Sequence, residues 1–228
     1  MIEFRKISKK YHYDEFSVFH DFSLIVPSGV ATVMFDVQSG KTTLCKLFLG
    51  LEKLDGGEIL WDGQVVSPQL LRDRRVSYLG EDALLFDGKT ALYNVAYPLL
   101  VAKVKKRDAQ IAAREALGEM GVEQSTALRK VKSLSAEEAA KVVLARLLVK
   151  RPKLVVLDEF WQSRPFCVDE TLAVARRIGA DVLVLTAYPR FAKGQTQVVF
   201  GGDVVYEGDE SGAAKALEQV LWLNEKEV

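Results

Sequence analysis

Ser39-Gly40-Lys41-Thr42-Thr43 is the stretch whose side chains could do chemistry most directly. Residues of these types in this order end a phosphate-binding loop. The helix that follows offers free N–H groups and a positive dipole end to an anion, the lysine adds a full charge, and Thr42 can ligate Mg²⁺. The full pattern wants glycine five residues before Gly40, and Phe35 stands there. Asp36 and Gln38 depart from it as well. Side chains at glycine positions restrict a backbone that must wrap phosphate, and Asp36 brings negative charge toward it. An ordinary strand-turn-helix with an exposed lysine would show the same residues. Further on, Asp158-Glu159 ends the apolar run Leu154-Val155-Val156-Leu157. A carboxylate at the end of a buried strand can hold Mg²⁺ through water, and the next can polarise an attacking water. A strand-end acidic pair without chemistry is the plainer alternative.

These groups need elements to position them. Ala31 to Phe35 is a continuous apolar run ending at the loop, which suits a buried parallel strand. Thr42 to Leu51 reads as the helix after it, stopped by Asp55-Gly56-Gly57. Short strands are expected around Ile2, Phe4 and Ile7, at 16–19, 22–26, 58–61 and 75–79, and then at 154–157, 181–186, 196–200 and 204–207. Residues 90–128 turn helical, Ser135 to Lys150 is a strong helix, and Gly212 to Trp222 closes as another. Strands alternating with helices imply an α/β fold with a mostly parallel sheet. The expected division is a core of 1–90 and 135–228, carrying a small N-terminal β subdomain, and a helical subdomain at 91–134.

The bulk properties exclude several classes. Lys plus Arg and Asp plus Glu balance at 31 each in 228 residues, so no net field draws the chain to nucleic acid or an anionic bilayer. Cys45 and Cys167 form no metal-type pair and read as reduced thiols, with Cys45 packed among Leu44, Phe48 and Leu51. His12 and His20 are the only histidines, which excludes a His-rich metal site. Basic residues interrupt any apolar start, and no run reaches 18 apolar residues, so neither a signal peptide nor a membrane span is expected.

Taken together, the segments resemble the ATP-binding subunit of ABC transporters, a P-loop NTPase (RecA-like) core with a small antiparallel β subdomain and an α-helical subdomain. The likeness is carried by Gly40-Lys41-Thr42-Thr43-Leu44 with Leu49 to Ile59, by Asn94-Val95-Ala96-Tyr97-Pro98-Leu99, by Leu134-Ser135-Ala136-Glu137-Glu138, and by Leu157-Asp158-Glu159. The step of 23 positions from Ser135 to Asp158 fits the family spacing. The short length and the Asn94–Leu99 stretch lean toward the cell-division and lipoprotein-release group.

The resemblance implies roles residue by residue. Ser39, Gly40, Lys41, Thr42 and Thr43 would bind nucleotide, and Tyr11 would stack on adenine, with Tyr13 and Phe16 as rivals and a plain strand aromatic as the alternative. Thr42, Asp158 and Glu81 would hold Mg²⁺. Glu159 and Glu81 would serve catalysis, although Glu81 stands where the family has glutamine and could be a solvated loop acid. Ser135 to Glu138 stands where the family has Leu-Ser-Gly-Gly-Gln, a helix start that grips the γ-phosphate across a dimer. A carboxylate about 4 Å from a triphosphate repels it by about 4 kcal/mol at an effective dielectric near 20. Ser135 and Glu138 instead spell a capping box. Ala187 takes the place of a histidine, and Trp161 to Pro165 replaces the loop that links the two sites of a dimer. Leu84-Leu85-Phe86 would lie near the groove for a membrane subunit's coupling helix, or would be a buried loop anchor.

Groups that hold a ground-state nucleotide are kept, and groups that close the dimer and organise hydrolysis are mostly altered. The expectation is a subunit that binds ATP and Mg²⁺ with weak or absent hydrolysis. It would dock on a transmembrane permease subunit at the cytoplasmic face, as a homodimer or beside another ABC ATPase. The alternative is a nucleotide-free scaffold or regulator, favoured by Phe35 and Gln38. A fully active transporter ATPase is disfavoured, and a soluble kinase more so.

Overall fold

The computed structural model describes residues 1–11, 17–36, 40–80, 85–159 and 168–225, with side chains as far as residue 219. Tyr13, Phe16, Gln38, Ser39, Glu81, Leu84, Trp161 to Pro165 and Cys167 lie outside the described residues. In chain order the elements are β1 (Ile2–Lys10), β2 (Ser17–Val26), β3 (Val30–Phe35), α1 (Lys41–Phe48), β4 (Gly56–Trp61), β5 (Gln64–Val65), α2 (Pro68–Asp73), β6 (Ser77–Leu79), α3 (Ala91–Val101), α4 (Lys106–Glu119), α5 (Gln124–Ala127), α6 (Ala136–Lys150), β7 (Leu154–Asp158), α7 (Val168–Ile178), β8 (Asp181–Thr186), β9 (Gln195–Phe200), β10 (Asp203–Gly208) and α8 (Glu210–Glu225).

The chain divides into two compact units. One comprises Met1–Val76, Val156–Asp158 and Asp181–Val228, and the other Ser77–Val155 and Glu159–Ala180. The larger sheet has the order β10-β9-β3-β8-β7-β6. Within the first unit, β3 runs parallel to β8, with Met34 opposite Thr186, and parallel to β9, with Phe35 opposite Val199. β10 returns antiparallel beside β9. The centre of this sheet is covered on both faces, which is why Ala31 to Phe35 and Val182 to Thr186 are buried without alternation.

The smaller sheet is antiparallel, in the order β2-β1-β4-β5. It meets α1 through aromatic contacts: the Phe48 ring lies 6.5 Å from Phe4 and 5.9 Å from Trp61. Another core joins Met34 and Val198 to Ala213 and Leu217 of α8. Thus β3 and α1, the two elements flanking the phosphate loop, are pinned by packing on either side of it.

In the second unit, α3, α4 and α6 pack together. Their small residues, Ala91, Val95, Ala109, Ala113, Val142 and Val143, are buried. Asn94 is fully buried among them. Its amide accepts from the Phe86 N–H at 2.7 Å and donates to the Phe86 carbonyl at 3.2 Å and the Thr90 carbonyl at 3.0 Å. A polar side chain survives there because both ends of its amide are satisfied.

Candidate functional site

The loop around Gly40 shows why glycine is required. Gly40 has φ 94°, a left-handed conformation that side chains disfavour. A Cβ there would also lie 2.6 Å from Val18 Cγ1 and 2.9 Å from the Phe19 ring. Helix α1 starts at once, its first ring closed by Leu44 N–H donating to the Gly40 carbonyl at 2.8 Å. Among the described residues no side chain caps this start, and its first turn contains no acidic residue. A dipole end left uncapped by carboxylate is suited to an external anion. Lys41 and Thr43 are half-buried, and Thr42 is exposed.

Phe35 ends β3 with its ring wholly buried. The aromatic that replaces the loop's first glycine is thus a core residue. Asp36 follows, half-buried, and burial pushes its carboxyl above the usual carboxylate range.

Asp158 ends β7 and is 5% exposed. Burial raises the Cys45 thiol strongly, and the negative charge of Asp158 raises it further. Glu159, the next residue, has φ 47°, an uncommon conformation for a side chain of this kind. The same conformation occurs at Lys6, Asp21, Asp62, Arg75, Lys103 and Arg151.

Tyr11 is brought to the same helix. Its phenol oxygen lies 3.4 Å from Thr43 Oγ1, and the Lys9 ammonium sits 5.1 Å from its ring centroid. Sequence reasoning did not single out Lys9, because its partners are distant in the chain.

The start of α6 is built differently from that of α1. The Ser135 hydroxyl accepts from the Glu138 N–H at 3.1 Å, and the Ser135 N–H donates to Glu138 Oε2 at 2.7 Å, a complete capping box. Arg129 adds a 3.0 Å contact to Glu138, and Glu137 pairs with Lys141 at 2.8 Å. The carboxylates at this start are therefore already engaged. Hydrogen bonding by the Ser135 N–H, with Arg129 nearby, holds the Glu138 carboxyl below its usual range.

Past β8, Thr186 Oγ1 accepts from the Tyr188 N–H at 2.9 Å, so Ala187 lies in a tight turn. Arg190 follows, its guanidinium 5.4 Å from the Tyr188 ring and 4.8 Å from Phe191. Phe86, Tyr93 and Tyr97 form a half-exposed aromatic cluster at the start of α3, with the Phe86 and Tyr97 rings 4.7 Å apart and Lys89 over Tyr93. No group of three His, Cys, Asp or Glu that could hold a metal ion occurs among the described residues. Among the described residues no helix is long and apolar enough to cross a membrane.

Similarity to known proteins shows the family and the fold. A family model described as ABC transporter matches residues 21–162. The chain is 30% identical over 192 residues to the spermidine/putrescine import ATP-binding protein PotA of Pasteurella multocida (strain Pm70), a match covering 82% of this chain and 51% of the relative. It is 34% identical over 152 residues to the sulfate/thiosulfate import ATP-binding protein CysA of Neisseria meningitidis serogroup A, covering 65% and 43%. The chain thus spans about half the length of these curated relatives. A solved dimer of the ATP-binding cassette MJ0796, in a post-hydrolysis state with ADP and Pi, superposes with a TM-score of 0.72 at 21% identity, over 92% of this chain and 99% of that one. At that identity the likeness is one of fold. None of the three is named for cell division or lipoprotein release.

Proposed function

The chain belongs to the ABC transporter family, and we propose on that premise that it is the ATP-binding subunit of an ABC transport complex, one that binds Mg-ATP with weakened affinity and turns it over slowly. One contrast carries the reading. Among the described residues the start of α1 has no side-chain cap and no acidic residue in its first turn, while the start of α6 is closed by Ser135 and Glu138.

The residues divide the work as follows. Lys41 and the first N–H groups of α1 take the phosphates, with Ser39 and Thr43 beside them, and Tyr11 takes the base. The Thr42 hydroxyl and the buried Asp158 carboxylate are hard oxygen donors suited to Mg²⁺, with Glu81 as a third. Bound there, Mg²⁺ supplies charge neutralisation on the phosphate oxygens. Glu159 orients the attacking water. Slow turnover follows from what is missing. Ala187 donates no side-chain hydrogen bond, and losing one such donor costs on the order of 10²–10³ in rate. Glu137 and Glu138 bring negative charge to a helix start that the family uses to grip γ-phosphate.

PotA and CysA are both named as import ATP-binding proteins, and the ATP-binding cassette of like fold is a dimer. These support an import complex in which this chain pairs with a second ATPase subunit and docks on a membrane permease at the inner face. The half-exposed cluster of Phe86, Tyr93 and Tyr97 offers an apolar surface for such a partner.

Calorimetry with Mg-ATP tests the proposal. Saturable micromolar binding that disappears in Lys41→Ala supports it. No heat at millimolar ATP would favour the nucleotide-free scaffold. Turnover above about 1 s⁻¹, abolished by Glu159→Gln, would mark an ordinary transporter ATPase.

A further inference from the structure

The side chain of Lys9 is almost wholly buried, which a charged group tolerates only with partners. Its ammonium donates to the Lys53 carbonyl at 2.9 Å and lies 3.6 Å from Glu52 Oε2, both in the turn after α1. The same ammonium faces the Tyr11 ring at 5.1 Å. At the far end of that ring, the phenol meets Thr43 Oγ1 in the first turn of α1. The ring is therefore held at two points, by a cation on one face and by a hydroxyl at its tip. Both holds trace to α1 and the turn that follows it.

We propose that Lys9 is a positioning residue for the base end of the nucleotide site. It fixes Tyr11 so that the face opposite the ammonium is presented to a planar base while the phenol stays against α1. This rests on the reading of Tyr11 as the base contact. A methionine at position 9 would fill the same volume and keep only a weaker sulfur–ring contact, losing the cation over the ring and the anchor to Lys53 and Glu52 that fixes its position. Binding of the base would suffer, while binding of the phosphate chain, which uses Lys41 and backbone N–H groups, would not.

The test is titration of the wild type, Lys9→Met, Lys9→Arg and Tyr11→Ala with Mg-ATP and, separately, with Mg-tripolyphosphate, which has no base. The expected result is a Kd for ATP raised about tenfold in Lys9→Met and Tyr11→Ala and close to wild type in Lys9→Arg. The tripolyphosphate Kd should stay within about twofold throughout. Should Lys9→Met fail to fold, Glu52→Gln loosens the same anchor without touching the buried stem, and a rise of about threefold for ATP alone is expected. Unchanged ATP binding in Lys9→Met, or in Glu52→Gln if that variant must stand in, overturns the proposal. So does an equal loss for ATP and tripolyphosphate, which would make Lys9 a general support of α1. A wild type that binds tripolyphosphate but not ATP overturns the base contact and with it the role of Lys9 while sparing the phosphate site, and one that binds neither overturns the nucleotide site itself.

Discussion

The Ser135 N–H donates to Glu138 Oε2 at 2.7 Å while the Glu138 N–H donates to Ser135 Oγ, so the start of α6 is closed by its own side chains. Two backbone donors that could face an external anion are thereby committed. Glu138→Ala removes half of this box and should destabilise the protein by about 1 kcal/mol at pH 7, read as a fall in Tm of about 2–4 °C. The pH dependence has a definite sign. The Glu138 carboxyl is held below its usual value of 4.5, so its contribution is complete above that value and is lost as the pH falls through its lower folded value. The difference in Tm between wild type and variant should therefore close in acid. A gap that widens would contradict the assignment.

Replacing Ala136 and Glu137 with glycine and Glu138 with alanine, which also removes the carboxylate half of the capping box, should reopen the start of α6 to phosphate. ATP turnover in the triple variant is expected to rise at least about tenfold over wild type, with some loss of stability from glycine in a helix and from the lost cap. A colorimetric phosphate assay checks this. Unchanged turnover would place the catalytic deficit elsewhere, at Ala187 first.

Gly40→Ala should lose nucleotide binding and about 1–3 kcal/mol of stability together. Its φ of 94° disfavours a side chain, and the new methyl would meet Val18 and Phe19. Calorimetry and thermal melting of one preparation read both effects. Wild-type affinity in this variant would mean that the phosphate site does not depend on the left-handed turn.

Asn94→Ala takes the side-chain partner from the part-buried backbone N–H and carbonyl of Phe86, empties a fully buried position, and should cost about 1–3 kcal/mol. ATP binding, which depends on Lys41 and α1, should be within about twofold of wild type where the variant is folded. By contrast, Phe86→Ala with Tyr97→Ala should leave both stability and nucleotide affinity nearly unchanged and weaken capture of the membrane permease. Pull-down from detergent extracts reads that loss.

How far these features were legible depends on whether their cause is local. The buried strands β3, β7 and β8 were readable because both faces are covered and their residues run apolar without interruption. The capping box was readable because its two members are three residues apart. β1 looked like fragments in sequence, whereas it is one strand whose register shifts between Phe4 and Ile7, where Lys6 takes φ 46° and breaks the alternation. Helix α7 was missed although Val168, Thr171, Leu172 and Ala175 mark one buried face at helical spacing. So was α2, although Ser67 and Pro68 spell a helix start. Of the candidate site, Gly40, Lys41, Thr42 and Asp158 announced themselves through motif spacing. Lys9 did not, since its partners are Glu52, Lys53 and Tyr11, and the clamp of Asn94 on Phe86 was equally hidden. Contacts made across tens of residues leave no periodic trace.

The most direct test is the fate of bound nucleotide. Purified protein is mixed with γ-labelled Mg-ATP above its micromolar Kd, bound and free label are separated at equilibrium by centrifugal ultrafiltration, and released phosphate is followed in the same samples. The prediction is occupancy approaching one label per chain, with that label still covalently part of ATP after many seconds, and none bound in Lys41→Ala. No bound label, or release of labelled phosphate faster than about 1 s⁻¹, would contradict a site that binds ATP and cuts it slowly.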